Sequence, residues 1–387
     1  MPDNPWFWLL LPLVAGLGWG SARWRERQRL DQRGAVSSEY FRGLNYLLNE
    51  EPDKAIELFL GLAEVNRDTV ETHLALGNLF RRRGEVEKAI GFHRHIISRE
   101  RLTTEQRCQA LFELAEDFYR AGLLDRAEAL FVELSSHSEH VEVATRRLLA
   151  LYQQERDWAR ALEQARRLAQ LTDADWSVEM AHFKCELALE AAAGGDRAAA
   201  RRWLQDGRAD QPECVRIDWI TGDLLAEDGQ AEAALVCYRR ALEHDPDLCL
   251  LLSERLLTQS PAERRGDLLE WLDDLARHAD TLAPRMLWAE AAAPVDPDMV
   301  LQHLGEELQK RPAIPALALY LRIAERVAPE RAGSEYALLA PLVRTLSASQ
   351  PAYRCRQCGY DSPVWHWQCP SCRHWETVRP VTGVYGI

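Results

Sequence analysis

The chain repeats one arrangement of apolar and polar positions between Ser37 and Pro246. In each repeat a turn is followed by an apolar stretch with a small residue at the same point. Apolar side chains within each stretch are three and four residues apart, which predicts amphipathic helices. The small residue that sets the register is an alanine in six repeats, at Ala55, Ala89, Ala127, Ala161, Ala200 and Ala234.

Other residue types recur at constant distances from these alanines. Three of the five steps between them are 34 residues long, and the other two are 38 and 39. Glycine lies twelve residues before the alanine in three repeats and five residues before it in four, and two repeats have both: Gly43, Gly77 and Gly222, then Gly84, Gly122, Gly195 and Gly229. Aromatic residues lie nine before the alanine or four after it: Tyr46, Phe80, Phe118 and Tyr152, then Phe59, Phe131 and Tyr238.

This period and these columns resemble the tetratricopeptide repeat family, in which each unit is a helix-turn-helix pair. The small residues let the two helices of a unit approach closely, and the aromatic residues fill the space between units. Because one pair cannot bury its apolar face, the units must stack. We therefore predict an all-α fold, a right-handed solenoid over residues 37–350. We expect about nine units, six of them clear, with weaker columns after Pro246.

In this family the partner lies in a groove lined by the first helix of each unit. The repeat register places eight candidate partner-binding residues on that face: Asn78, Arg81, Glu116, Tyr119, Arg120, Arg146, Gln153 and Asp223. The alternative for each residue is a solvated helix face with pairs along one helix. Glu116 and Arg120, four residues apart, are such a pair.

Residues 1–22 predict an N-terminal transmembrane anchor. The stretch 6–22 carries no charge and reaches about 25 Å as a helix, close to the lower limit for a bilayer. A cleaved signal peptide needs a positively charged start, whereas Asp3 is the only charged side chain before this stretch. The five arginines of the region 23–36 follow it, so the positive-inside rule predicts an N-terminus outside the cytoplasm and repeats inside it.

The charge of the chain argues against nucleic acid as a partner. The formal net charge is −13. Residues 1–33 contain five arginines and three acidic residues, a charge of +2, which leaves −15 for the remainder. A body this acidic repels a phosphate backbone.

Four of the nine cysteines form two C-x2-C turns near the C-terminus. Cys355 and Cys358 are separated from Cys369 and Cys372 by ten residues. Two thiolates on each tight turn can complete a tetrahedral shell around zinc or, as in rubredoxin, iron. Gly359 permits the backbone that such a turn needs. We predict that residues 351–387 form a small metal ribbon.

The ribbon is too short to build much of a core, so its metal must supply most of its folding free energy. His366 and His374 lie near the thiols but are interpreted as surface or packing residues, because four thiolates already satisfy the metal. We expect the aromatic residues of the ribbon to pack on the last repeat helices: Tyr353, Tyr360, Trp365, Trp367 and Trp375.

No catalytic motif is present in the sequence. A phosphate-binding loop, H-E-x-x-H, G-x-S-x-G and a dinucleotide-binding fingerprint are all absent. Acidic residues are scattered, and no nucleophile lies in a recognisable pattern with a base. The sequence therefore predicts no catalytic residues and a protein that is not an enzyme.

The order of anchor, arginines, repeats and metal ribbon resembles the lipopolysaccharide assembly protein B family of Gram-negative bacteria. The segments that carry the resemblance are the short Trp-rich anchor, the early repeat and the two cysteine turns: residues 52–59, 353–355 and 367–373. The resemblance covers essentially the whole chain.

The resemblance implies an inner-membrane adaptor that restrains lipopolysaccharide synthesis. Its partners would be an FtsH-type AAA+ membrane protease and the deacetylase that commits material to lipid A, whose degradation it would promote. Scaffolding of other synthesis enzymes is a further expectation. In this family the ribbon is held against the repeats and both are needed. Two alternatives stay open: a general envelope scaffold without a role in proteolysis, and a rubredoxin-type electron carrier.

Overall fold

The computed structural model describes most of the chain from residue 70 onward and short helical pieces before it. The described residues are 41–43, 45, 46, 54, 55, 58, 70–99, 102–261, 265–327 and 334–387. The predicted anchor at 1–22 and linker at 23–36 lie outside these ranges. Within them, the helices fall short of the length and apolar character that a bilayer crossing needs.

The chain divides into two compact units between Glu155 and Arg156. Consecutive helices of the first unit contact each other, and its first fully described helix also contacts the third. This pattern is the stacking of helix pairs that the repeats predict. The described helices of this unit are α1 Val70–Arg82, α2 Val86–Ile97, α3 Thr104–Arg120, α4 Leu124–Leu134 and α5 Val141–Glu155.

The second unit continues the helix pairs and ends in the ribbon. Its helices are α6 Trp158–Leu171, α7 Ser177–Ala193, α8 Arg197–Asp210, α9 Val215–Glu227, α10 Ala231–His244, α11 Cys249–Gln259, α12 Arg265–His278, α13 Ala283–Ala292, α14 Pro297–Lys310, α15 Ile314–Val327 and α16 Ser334–Ala348. A short 3-10 helix, Pro246–Leu248, precedes α11.

The ribbon contains three short antiparallel strands in the order β2-β1-β3. Their bounds are β1 Tyr353–Cys355, β2 Asp361–Ser362 and β3 Val378–Pro380. Arg354 of β1 lies opposite Asp361 on one side and Arg379 on the other. The small sheet thereby sets the position of Cys355 at the end of β1.

The repeat register from the sequence is confirmed at its alanines and glycines. All six alanines are completely buried. The four glycines that precede them by five residues have φ between +74° and +84°, a left-handed turn that suits glycine. In the repeat of Ala161 the same position is Arg156, which adopts φ +59°. The turn therefore keeps its backbone conformation even where the glycine is replaced.

Helix pairs also continue where the alanine column disappears. Leu268, 34 residues after Ala234, is completely buried in α12, and Val300 occupies the core of α14. Because these positions carry side chains larger than alanine, the repeat pattern is harder to recognise in the sequence after Pro246, although the helices still stack. The total of nine units stays a prediction, because most of the first pair lies outside the described residues.

Two of the glycines twelve residues before the alanine, Gly77 and Gly222, are required by close packing. A Cβ atom at Gly77 would lie 2.1 Å from Nε2 of His93, and one at Gly222 would lie 2.5 Å from Cε1 of Tyr238. His93 and Tyr238 both follow their repeat alanine by four residues. His93 therefore takes the place of the aromatic ring, and its Nδ1 lies 2.5 Å from Oδ2 of Asp117.

We expect Gly77→Ala to lower the free energy of unfolding by about 1 to 3 kcal/mol, because the new methyl group displaces the buried His93 ring. Gly91→Ala is the matched control: Gly91 is exposed in α2 and has no atom within 4 Å of an added Cβ. That change should raise stability by roughly 0.5 to 1 kcal/mol through helix propensity. The urea concentration at the midpoint of unfolding, followed by circular dichroism, measures both changes. Midpoints that shift in the same direction in the two variants would contradict this packing.

Candidate metal centre

The two cysteine turns have the same local structure. The amide of Gly359 donates to the carbonyl of Cys355 at 3.0 Å, and the amide of Arg373 donates to the carbonyl of Cys369 at 2.9 Å. The residue after the second cysteine is left-handed in both, with φ +76° at Gly359 and +59° at Arg373. The predicted need for a special backbone at Gly359 is confirmed, and Arg373 meets the same need without being glycine.

The four sulfurs lie at distances that suit one metal ion. Cys355 and Cys372 are 3.7 Å apart at Sγ, as are Cys358 and Cys369. All four sulfurs lie within 4.8 Å of one another. A tetrahedron with metal–sulfur bonds of about 2.3 Å has edges of about 3.8 Å. The geometry therefore confirms the predicted four-cysteine metal site, and it accepts zinc and iron equally.

The surroundings of Cys355 favour its thiolate. Burial alone would raise its pKa, but the Thr377 hydroxyl, 3.3 Å from Sγ, and nearby backbone amides lower the pKa to about 6. Burial and the neighbouring sulfurs raise the pKa of Cys372 to about 12. A second negative charge in the cluster is unfavourable unless a cation balances it. A divalent ion held by the four sulfurs would provide that balance, and its binding would release protons from the thiols.

The two histidines of the ribbon bond to ribbon groups. Nε2 of His366 is 3.1 Å from the Ser362 hydroxyl, and Nδ1 of His374 is 3.1 Å from the carbonyl oxygen of Cys372. Neither belongs to the group of sulfur ligands. This placement agrees with their interpretation as surface and packing residues.

The prediction that the ribbon aromatics pack on the last repeat helices is wrong. Trp375 stacks on His182 of α7, with ring centroids 4.6 Å apart and an angle of 14° between planes. It also contacts Trp158 of α6 and Phe183 of α7 through ring edges. The ring centroids of Trp367 and of Trp219 in α9 are 5.7 Å apart. The ribbon therefore docks on helices in the middle of the repeat region.

The chain folds back because these indoles find aromatic partners there. Adjacency in sequence does not determine contact: α16 precedes the ribbon directly but leaves Leu338, Leu342 and Leu346 exposed. Tyr360, also expected to pack, is 38% exposed. The C-terminal tail then meets the later helices, where the amide of Ile314 donates to the Val384 carbonyl at 2.8 Å.

Polar contacts join the same two surfaces. His182 donates from Nε2 to Oε1 of Glu376 at 2.9 Å, and Arg379 of the ribbon pairs with Asp245. The Arg216 guanidinium lies 5.6 Å from the ring centres of both Trp367 and Trp375. Cation–π contacts of this kind are strengthened when they are shielded from water.

His182 is neutral in this arrangement. Burial lowers its pKa, although the hydrogen bond to Glu376 opposes that effect. The same hydrogen bond lowers the pKa of Glu376, so a neutral imidazole donates to a carboxylate. Cys214 also places its sulfur within 4.8 Å of these two groups. The hydrogen bond already accounts for the proximity of His182 and Glu376, and we infer no second metal.

These docking residues were missed by the sequence analysis. His182 and Arg216 belong to ordinary helical patterns, and Glu376 and Arg379 follow the cysteine motif without a motif of their own. His182 and Glu376 are 194 residues apart in sequence. No sequence pattern near either residue indicates that the two side chains are in contact.

Several predicted partner-binding residues are held in contacts within the protein. Arg81 bonds to Glu113 and Asp117 of α3. Glu116 is buried and pairs at 2.5 Å with Arg147 of α5, a different partner from the suggested Arg120. These side chains therefore hold neighbouring helices together.

The remaining candidates have different surroundings. Asp223 accepts from Trp219, Tyr238 and Arg255, and Arg146 pairs with Glu142 along α5. Arg120 is exposed, and three are partly buried: Asn78, Tyr119 and Gln153. Asn78 lines a groove. Partner contact by any of the eight stays a prediction.

Stacked helix pairs that hold a four-thiolate ribbon define the class: a helical repeat protein of the tetratricopeptide type with a rubredoxin-like metal domain. Residues 353–380 match the family described as "Rubredoxin metal binding domain".

The relatives extend over the whole chain. It is 34% identical to lipopolysaccharide assembly protein B of Escherichia coli strain K12, covering 98% of both chains. It is 31% identical to the protein of that name from Haemophilus influenzae, covering 97% of both. The chain belongs to the lipopolysaccharide assembly protein B family, as the sequence resemblance indicated.

Solved structures give only distant likenesses. The MamA protein is 16% identical, with a TM-score of 0.33, over 47% of this chain and 94% of that one. The tetratricopeptide protein YrrB is also 16% identical, with a TM-score of 0.33, over 50% and 94%. The fold assignment does not depend on them, because it follows from the helix pairs themselves.

We expect Cys358→Ser to reduce the bound metal from one ion per chain to none and to release the ribbon, because the ribbon folds through its metal. Elemental analysis and acrylamide quenching of tryptophan fluorescence measure the two effects. Cys237→Ala, at a buried thiol of α10, is the control and should keep the metal. Full metal content with a docked ribbon in the Cys358 variant would contradict the assignment.

Docking of the ribbon should weaken as the pH falls from 7 to 5. The folded-state pKa of His182 is lowered, so its contribution is present above its unfolded value of about 6.5 and is lost below it. His182→Gln should dock more weakly throughout but lose this dependence, while His278→Gln, at an exposed position in α12, should keep it. Hydrogen exchange at residues 353–380, corrected at each pH for the intrinsic exchange rate, measures docking. Unchanged acid sensitivity in His182→Gln would refute this origin.

Proposed function

We propose that this protein is an inner-membrane adaptor that restrains lipopolysaccharide synthesis. It presents the deacetylase that commits material to lipid A to an FtsH-type AAA+ membrane protease for degradation. The observation that carries the proposal is the likeness to lipopolysaccharide assembly protein B of Escherichia coli over 98% of both chains. A likeness of that extent includes the repeats together with the ribbon.

The site geometry supports a binding role over a catalytic one. Four thiolates close a tetrahedral shell, which leaves no open position on the metal for a substrate. The ribbon is joined to α6, α7 and α9 by aromatic and charged contacts. Ribbon and helices thus present a common surface, consistent with joint recognition of a client and a protease.

Membrane attachment completes the proposal. Residues 1–22 cross the inner membrane once, with the N-terminus in the periplasm and the repeats and ribbon on the cytoplasmic side. Tethering in the plane of the membrane raises the effective concentration of the adaptor near a membrane protease. Moderate affinity of each surface would then suffice.

The four-sulfur geometry favours one second candidate, a rubredoxin-type electron carrier. Iron in this site supplies one-electron chemistry, whereas zinc does not. Purified protein that is colourless and contains one zinc per chain excludes the electron carrier. One iron per chain with reversible bleaching on reduction would favour it over the adaptor.

Depletion of the protein from its own bacterium should lengthen the half-life of the deacetylase severalfold and raise the lipopolysaccharide level. Pulse-chase labelling measures the half-life. Wild-type protein and Cys237→Ala should restore fast turnover, while Cys358→Ser should not. Unchanged turnover on depletion counts against the adaptor, and membrane pull-downs that contain synthesis enzymes without the protease would instead favour a general scaffold.

A further inference from the structure

Two buried cysteines of the repeats lie against each other beneath the docked ribbon. Cys185 belongs to α7, and Cys214 is the residue that precedes the first turn of α9. Both belong to one core cluster, with exposures of 0% and 2%. The thiol of Cys185 donates to the sulfur of Cys214. Neither belongs to the group of four sulfurs, so the metal centre does not use them.

The neighbouring imidazole places Cys214 on the same face of α7. A ring nitrogen of His182, the Cys214 sulfur and a carboxylate oxygen of Glu376 all lie within 4.8 Å of one another. His182 precedes Cys185 by three residues, and residues with this spacing share one face of a helix. A disulfide needs its sulfurs about 2.05 Å apart. Two thiols that are already hydrogen-bonded across neighbouring helices need only a small displacement to reach that distance.

The two thiols differ in acidity. The hydrogen bond from Cys185 lowers the pKa of Cys214, and the amides of Arg216 and Ile217 act in the same direction, although burial opposes them. Burial raises the pKa of Cys185, and the hydrogen bond to Cys214 raises it further. The thiolate is the form that reacts with oxidants. Cys214 is therefore the nucleophile of the pair, and Cys185 keeps its proton.

The ribbon covers this pair. Glu376 of the ribbon lies next to the Cys214 sulfur, and Trp375, the residue before it, stacks on α7. A cavity of about 380 Å³ at the edge of the docked ribbon is lined by Glu213 and Val215, the neighbours of Cys214. Solvent therefore reaches both neighbours while the sulfur itself stays covered. A docked element that opens locally exposes what it covers for part of the time.

We propose that Cys214 and Cys185 form a peroxide-sensitive dithiol whose oxidation the docked ribbon limits. When the ribbon opens, the Cys214 thiolate attacks one oxygen of a peroxide. The O–O bond breaks, a sulfenic acid forms on Cys214, and the departing hydroxide takes the proton that Cys214 had lost. The Cys185 sulfur then attacks the Cys214 sulfur, the S–O bond breaks, and water leaves with the Cys185 proton. Two thiols and one hydrogen peroxide become one disulfide and two water molecules.

The test uses the full chain with its metal bound. Hydrogen peroxide is added, samples taken over time are blocked with N-ethylmaleimide in denaturant, and tryptic peptides are identified by mass spectrometry. Cleavage after lysine and arginine places Cys185 in residues 185–197 and Cys214 in residues 209–216. We expect these two peptides to become linked, and dithiothreitol to separate them again.

Substitutions at the two thiols separate their roles. In Cys185→Ala the reaction should stop at the sulfenic acid on Cys214, which a dimedone probe labels. Cys214→Ala should give neither the linked peptides nor the label. Cys249→Ala is the control, because it removes a thiol of α11 that is equally buried. It should form the link at the wild-type rate.

A change in the ribbon tests its role as a cover. Trp375→Ala removes the stack on His182 and leaves the four cysteines of the metal site in place. It should speed formation of the link at least about tenfold, because the rate follows the fraction of time that the site is open. Tyr360→Ala, at a ribbon ring that is 38% exposed, should change the rate less than about twofold. The metal content, measured in parallel, should stay at one ion per chain.

Two results would overturn the proposal. Absence of the linked peptides in the oxidised wild-type protein would show that the two thiols do not react with each other. Equal rates in the wild type and in Trp375→Ala would show that the ribbon does not control the reaction. The proposal concerns the protein's own thiols and goes beyond the adaptor function, which deacetylase turnover tests separately.

Discussion

Neither the ribbon nor the repeats of the second unit can bury their aromatic surface alone, and this constraint determines where the ribbon lies. Trp375 of the ribbon stacks on His182 and makes edge contacts with Trp158 and Phe183. These contacts shield large rings of the ribbon and of the helices from water. Aromatic pairs stabilise through buried area and through ring geometry. The ribbon therefore belongs to the core of this unit, although it comes last in the chain.

The metal site matters to the repeats because of this docking. Cys355 and Cys358 belong to one turn and Cys369 and Cys372 to the other, and a common ion would tie the two turns together. Trp367 and Trp375 flank the second turn, so the metal also orients the rings that meet α7 and α9. Folding free energy of the metal site is thus transmitted to helices almost two hundred residues earlier.

The sequence by itself determined the repeat register, the helix pairs and the ligand set, because each depends on residues close together in the chain. Gly84 and Gly122 indicate turns, and Ala89 and Ala127 indicate close contacts between helices. The C-x2-C spacing places two thiols on one turn. The docking position of the ribbon and the pairing of Glu116 with Arg147 were decided only by the tertiary structure. Such contacts depend on which distant surfaces bury the most apolar area and satisfy each other's polar groups, and one sequence carries no local mark of that choice.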